Sequence, residues 1–417
     1  MSYLKKYIII TPCVTNMGGA QMYIRNKYTY MQKKGWDVDI ITAQKGHIYI
    51  SDLQKFNFVI PELNFNVYLY PKSKREKILR TITERIITHP YDEIIIESTC
   101  GSESTWAEVL AKKIGAKHLF YNLQEQDSYQ SKNMQDFLCF KYDRRELAGI
   151  NAKSLYNFFL PFHPISEEQS YYLLAYCNNV EEDISSPLLD KIDTSKYNHI
   201  IGCLTRLDKP FVESALNDFI SYVNTNSEKK YLLLLIGGAP EESSYVQNIQ
   251  NMFKAIHNVD LIITGYIFPV PIKLLDICNA FFTSAGSARV CMRSGIPTIS
   301  YDANDYRPIG ILGRTTNNSL MRAENEPIQD FSKLMDDILE RNIYAKEPRT
   351  NIPNEPDFSS HDEFLASMSK ENAYYNFDRV PLDHSERKLS MALRLIGAEN
   401  YAKLGVIKKR LLTKFKR

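Results

Sequence analysis

Short apolar runs and stretches with helical spacing alternate along the first part of the chain. Residues 7–11 are continuously apolar up to Thr11, which predicts a buried strand. Residues 19–34 carry apolar positions at helical spacing, and Gly35 supplies the stop. Residues 37–42 read as the next strand. Further strands are predicted at 67–70, 93–97 and 117–121, with helices near 74–87 and 105–114. Strands that alternate with helices of about 10–15 residues imply βαβ units and a parallel sheet.

Residues 178–197 are polar and acidic and contain Ser185-Ser186-Pro187, the texture of a connection between domains. The alternation then restarts. Strands are predicted at 200–204, 231–236, 261–263, 280–283 and 298–301, with helices near 211–224, 241–256 and 287–294. The pattern predicts an α/β fold of two doubly wound, Rossmann-like domains with a cleft at the carboxyl ends of their strands. The expected domains are 1–180 and 196–345. Residues 346–417 are expected as an extension: a long surface excursion over 346–386, rich in proline and polar groups, then a last helix over about 384–415 that packs back towards the N-terminal domain. No repeat at solenoid period occurs.

Composition narrows the class without deciding it. A chain of 417 residues exceeds one typical core and fits two domains of about 150–200 residues. The net charge of +2 gives no global attraction to nucleic acid, so any charged partner must be read from local patches. The seven cysteines are scattered singly with no CxxC pair, which argues against a disulfide framework or a zinc site and fits a reducing cytoplasm. The apolar run near the N-terminus is too short for a signal peptide. None of the eight histidines sits at metal-ligand spacing, so no metal site is expected, and no cofactor is expected either.

Local motifs carry more. Ser284-Ala285-Gly286-Ser287-Ala288 follows a strand and opens a helix. Small residues allow close backbone approach, and first-turn amides with the helix dipole favour an anion, phosphate above all. A plain tight turn is the other reading. Arg206 and Lys209 follow an earlier strand end in Arg206-Leu207-Asp208-Lys209; a guanidinium fork and an ammonium suit a diphosphate. Gly18-Gly19-Ala20-Gln21 follows the first strand, too short for a GxGxxG dinucleotide fingerprint but able to bring backbone close to a ligand. Gly237 ends a buried strand in Leu235-Ile236-Gly237-Gly238. Thr264-Gly265-Tyr266 ends another, where Gly265 lets a flat base lie on backbone beside Tyr266. Ordinary strand-end turns account equally for both.

The ordered set Gly-Gly-Ala-Gln, Arg-Leu-Asp-Lys, Ile-Gly-Gly, Thr-Gly-Tyr and Ser-Gly-Ile-Pro-Thr-Ile resembles the family 4 glycosyltransferases of the GT-B fold, bacterial polysaccharide type, over about residues 7–340. The resemblance implies a nucleotide-sugar donor held mainly by the second domain and transfer with retention, without a metal ion, to a glycan or lipid-linked acceptor in polysaccharide or capsule synthesis. It implies that Arg206 and Lys209 neutralise the donor diphosphate and that Gly286, Ser287 and Ala288 supply amides. Gly265 and Tyr266 would flank the base, and Gly18 and Gly19 would close over the donor. The chain departs from the family in three places: the spacing of Arg206 and Lys209 is tighter than usual, Tyr121-Asn122-Leu123-Gln124-Glu125 stands where the first domain commonly carries a histidine, and the glutamate pair is missing. Two glutamates are usual just before the Gly-x-Pro; here those positions fall near Phe282 and Val290. Ribose and sugar are then expected to be held by backbone, by hydroxyls such as those of Ser284 and Ser287, or by groups from the first domain such as Gln124 and Glu125, which could equally be solvent-facing loop residues. The departure also allows a non-catalytic partner subunit of an active transferase.

From Lys403 to Arg417 the chain holds seven basic residues and no acid, with Leu404, Ile407, Leu411, Leu412 and Phe415 at helical spacing. That is a basic amphipathic pattern suited to an anionic membrane surface, or to a packed final helix with a solvated tail. The expected location is cytoplasmic, peripheral at the inner membrane face.

Overall fold

The computed structural model describes residues 3–15, 17–123, 130–240, 243–350, 356–369, 371 and 373–404. Contacts divide the chain into two units. One gathers the N-terminal strand, residues 23–176 and the chain from Pro356 onward; the other gathers Met17–Met22 and Cys177–Glu355.

The first unit runs β1 (Lys5–Thr11), α1 (Gly19–Lys33, its first turn grouped with the other unit), β2 (Asp37–Thr42), α2 (Lys72–Ile86), β3 (Glu93–Ser98), α3 (Gly101–Ile114), β4 (Lys117–Asn122), α4 (Lys132–Asp143), β5 (Leu147–Gly149) and α5 (Ala152–Phe159). Its five strands are parallel in the order β2-β1-β3-β4-β5. Ile8, Ile10, Ile41 and Ile96 face Trp106 and Leu110 of α3 in the core. Strands covered on both faces need not alternate, which is why β1 reads as a plain apolar run.

The second unit runs β6 (Glu181–Glu182), β7 (His199–Leu204), α6 (Phe211–Thr225), β8 (Tyr231–Ile236), α7 (Tyr245–Phe253), β9 (Val259–Ile263), β10 (Val270–Pro271), α8 (Ile272–Asp276), β11 (Ala280–Thr283), α9 (Ala285–Arg293), β12 (Thr298–Tyr301), β13 (Pro308–Ile311) and α10 (Phe331–Leu339). The main sheet has the order β13-β12-β11-β7-β8-β9, with β13 alone antiparallel. Both units are doubly wound, Rossmann-like α/β domains of the GT-B kind.

Three expectations fail. Residues 67–70 are not a strand: Val67–Leu69 is a 3-10 turn, with all three residues buried. The Val67 amide donates to Thr105 Oγ1 at 2.9 Å, so the run is core filler without a ladder partner. Residues 346–350 are mostly exposed, but the described residues from Pro356 on are not a surface excursion. The α11 helix (Ser359–Ser367) buries His361, Phe364 and Leu365, and Phe358 and Phe377 are also buried. Pro348, Pro353, Pro356 and Pro381 flank the segment, but no proline lies within 357–380, where Phe358, Phe364, Leu365 and Met368 are buried. The last helix is not continuous: α12 (His384–Ile396) stops at Gly397 with φ 79°, and residues 398–404 form a separate helical stretch. Residues 405–417 lie outside the described residues.

Candidate functional site

In the second unit, the carboxyl ends of four adjacent strands bring the sequence motifs together. The order β11-β7-β8-β9 puts the turn after each strand on one edge of the sheet. Ser284-Ala285-Gly286 follows β11, Thr205–Asp208 follows β7, Gly237-Gly238 follows β8 and Thr264–Tyr266 follows β9.

Three of these turns are tied by backbone. Thr205 N donates to Ile236 O at 3.1 Å and Leu207 N to Gly238 O at 2.9 Å. The Gly237 amide donates to Thr264 Oγ1 at 3.1 Å. Gly237 has φ 154°, and a Cβ there would lie 1.7 Å from Thr205 O. Only glycine fits, and it is needed for the approach of two chains. A Cβ on Gly238 would meet the Tyr266 ring at 2.9 Å, so Tyr266 lies over that turn. Gly265 has φ 72° and open space around it.

Arg206 is half-buried, and its guanidinium is held by Asp208 two residues on: Nε donates to Oδ1 at 2.9 Å and NH2 to Oδ2 at 3.0 Å. The fork leaves NH1 pointing towards Gly18, whose built Cβ would sit 3.0 Å from it. Lys209 is exposed and makes no ion pair with a described residue. Sequence reading named Arg206 and Lys209 as cations but gave no part to Asp208, although it stands between them.

The start of α9 is fixed from outside. Ala285 has φ 58°, a left-handed conformation that costs a non-glycine residue about 1 kcal/mol. Its amide donates to Ser319 O at 2.5 Å. Ser300 Oγ donates to the same carbonyl at 3.0 Å, and Arg289 Nε to Ser319 Oγ at 3.2 Å. Asp302, buried at the end of β12, accepts amides of Asn304 (2.7 Å) and Arg322 (2.6 Å) and so holds the loop that carries Ser319. Ser284 turns inward, its hydroxyl donating to Tyr301 O at 2.7 Å. The Ala288 amide closes the first turn on Ser284 O at 3.4 Å. The amides of Gly286 and Ser287 are left, since first-turn amides have no intrahelical acceptor.

Residues of the connection come to the same place. A Cβ built on Gly286 would lie 3.0 Å from Asn178 Oδ1 and 3.8 Å from Cys177 Sγ; one on Gly19 would lie 3.7 Å from the same sulfur. The turns carrying Gly19 and Gly286 therefore flank one thiol. Nothing in the sequence marked Cys177 or Asn178. Gln124 and Glu125 lie outside the described residues. Phe282 and Val290, near which the resemblance would place the glutamates, have no exposure at all. The α9 thiol Cys291, fully buried, has its pKa pushed up by that burial, as has Cys203 on β7, so neither is a nucleophile. Among the described residues no group of three or more His, Cys, Asp or Glu is placed to hold a metal ion.

No protein-family model matches the sequence, and no curated protein matches it. Solved structures do share the fold. A glycosyltransferase from Rickettsia africae is 13% identical with a TM-score of 0.56, over 88% of this chain and 95% of that one. Anabaena HepE, solved in complex with UDP-glucose, is 13% identical with a TM-score of 0.53, over 87% and 96%. TarM is 12% identical with a TM-score of 0.53, over 88% and 99%.

Proposed function

We propose that this protein is a glycosyltransferase that takes a sugar from a nucleotide-diphosphate donor, retains the anomeric configuration and uses no metal ion. The observation that carries the reading is the meeting of Arg206, Lys209 and the Gly286 and Ser287 amides at one sheet edge. Two cations and two helix-terminal amides match a diphosphate in charge and hydrogen-bond capacity. The bond from the anomeric carbon to the terminal phosphate oxygen breaks, and a bond from an acceptor hydroxyl oxygen to that carbon forms. The hydroxyl proton passes to the departing phosphate oxygen. Arg206 and Lys209 stabilise the charge that develops on the diphosphate, a preorganised electrostatic contribution. Tyr266, beside Gly265, offers a ring face to the base. Fold neighbours solved with UDP and UDP-glucose support a nucleotide sugar as donor. The acceptor is a glycan or lipid-linked hydroxyl, as in polysaccharide synthesis.

Two observations favour a second reading, a non-catalytic partner of an active transferase. Phe282 and Val290, near the positions of the usual glutamates, are buried, and Asp208 already occupies half of the Arg206 fork. Titration calorimetry with a panel of nucleoside diphosphates, then a hydrolysis screen of nucleotide sugars, decides between them. Binding with slow donor hydrolysis supports the enzyme. Binding without hydrolysis or transfer for any donor supports the partner, and no binding at all overturns both.

A further inference from the structure

Helix α12 has two apolar sides, and the described residues cover only one. The inner side is anchored to the first unit. Ser390 Oγ donates to Leu69 O at 2.6 Å, Leu393 is buried, and Glu386 accepts from Asn133 Nδ2 at 2.7 Å. The outer side exposes Met391 at 60% and Leu395 at 82%, one turn apart. Ile396 and, beyond Gly397, Leu404 are exposed as well. Leaving this much apolar surface in water is costly, and a stripe of it on one helix marks a contact site.

The surrounding charge says what the contact is. Arg387, Lys388 and Arg394 are exposed beside the stripe, and none of them makes an ion pair with a described residue. Residues 384–417 contain ten Lys or Arg against two Glu, in a chain whose net charge is only +2. Of those glutamates, Glu386 is buried and Glu399 is paired with Lys403. The adjoining α2 adds exposed Lys72 and Lys77, and its Arg75 is tied to Asp378, just ahead of α12, at 2.6 Å. An acidic protein or nucleic acid would match the cations but leave Leu395 and Met391 wet. A surface of anionic headgroups over hydrocarbon matches both at once. No helix among the described residues is long and apolar enough to cross a membrane, so such contact is along the surface.

We infer that the outer face of α12 docks the protein on an anionic lipid bilayer, with Met391, Leu395 and Ile396 entering the interface and Arg387, Lys388 and Arg394 facing lipid headgroups. This does not depend on the transferase reading. The test is co-sedimentation of the full chain with phosphatidylcholine vesicles, with and without phosphatidylglycerol. The Met391→Gln/Leu395→Glu double variant and a chain lacking 405–417 are run beside it, with thermal melting as the folding check. Both substituted residues are exposed, so the variant folds. The expected result is binding that needs phosphatidylglycerol and falls by about tenfold or more in the double variant. Equal binding of variant and parent overturns the inference, as does failure of the parent to bind. If the double variant instead loses a parent dimer by light scattering while its vesicle binding is unchanged, the face belongs to a second copy and the inference falls.

Discussion

Asp208 holds Arg206 by two hydrogen bonds, 2.9 and 3.0 Å, across a single intervening residue of one loop. The pair preorients the guanidinium and at the same time lowers the positive potential that a diphosphate would meet. Arg206→Ala is expected to weaken nucleoside diphosphate binding by about 10- to 100-fold without changing the melting temperature. Asp208→Asn keeps the shape and removes the competing charge. It is expected to tighten binding a few-fold at low salt, with the gain fading as salt rises. Calorimetry at two ionic strengths measures both.

Gly237 and Gly286 are both at strand-end turns, but they serve different ends. Gly237→Ala puts a methyl carbon 1.7 Å from Thr205 O at a positive φ, so it should cost about 3 kcal/mol or more of stability. Gly286→Ala is tight only against the Asn178 side chain, at 3.0 Å, which can move, while Cys177 lies at ordinary contact distance. It should leave melting nearly unchanged and weaken anion binding by crowding the free amides. Melting curves and calorimetry on the two variants separate the roles.

The first unit holds a buried cluster whose titration sets a pH limit. His118 Nδ1 lies 2.7 Å from Glu108 Oε2 and Nε2 lies 2.8 Å from Ser98 Oγ, while Lys141 Nζ donates to Glu108 and Glu146 at 3.0 and 2.7 Å. Burial, with Lys141 beside it, pushes His118 down from 6.5 to about 4. Burial acts to raise Glu108, but Lys141 and the His118 hydrogen bond outweigh it and hold it at about 2. Both folded values lie below the unfolded ones, so the unfolded chain binds more protons as pH falls. Stability is expected to drop between pH 6.5 and 4 through His118, by up to about 3 kcal/mol, and further below pH 4.5 through Glu108. Urea unfolding across pH 7 to 4 measures this; a His118→Asn chain should show a flatter upper part of the curve.

Glu97 is fully buried and accepts from Tyr7 OH at 2.5 Å and Tyr23 OH at 2.8 Å. Lys27 Nζ is buried with no hydrogen-bond partner among the described residues, 4.9 Å from the centre of the Phe358 ring, and burial lowers its pKa to about 8. Glu97→Ala strands two hydroxyls and this cation, at an expected cost of about 3–5 kcal/mol. Lys27→Met removes the desolvated cation but leaves Glu97 without its positive neighbour, still held by two tyrosine hydroxyls, and should cost less than Glu97→Ala, about 1–3 kcal/mol. Chemical denaturation of the two variants checks the asymmetry.

The sheet strands of both units were largely legible because a strand covered on both faces must be apolar along its whole length. The β2, β8, β11 and β12 bounds match the sequence reading residue for residue. The short β5 and the helices α4 and α5 were not read, although Met134, Phe137 and Leu138 of α4 and Leu155, Phe158 and Phe159 of α5 are buried at helical spacing. Residues 67–70 misled: burial was visible in the sequence, but the absence of a neighbouring strand was not.

The sequence by itself determined which residues are apolar, where the chain turns, and that Gly286, Arg206 and Gly265 each follow a strand. Those are local properties, written in residue type and spacing. Only the tertiary structure decided what each side chain was left free to do. It committed Ser284 to the Tyr301 carbonyl and half of Arg206 to Asp208, and it buried Phe282 and Val290. It also brought Cys177 and Asn178 to the Gly286 turn. Hydrogen-bond commitment and burial depend on neighbours distant in sequence, and no periodicity carries that information.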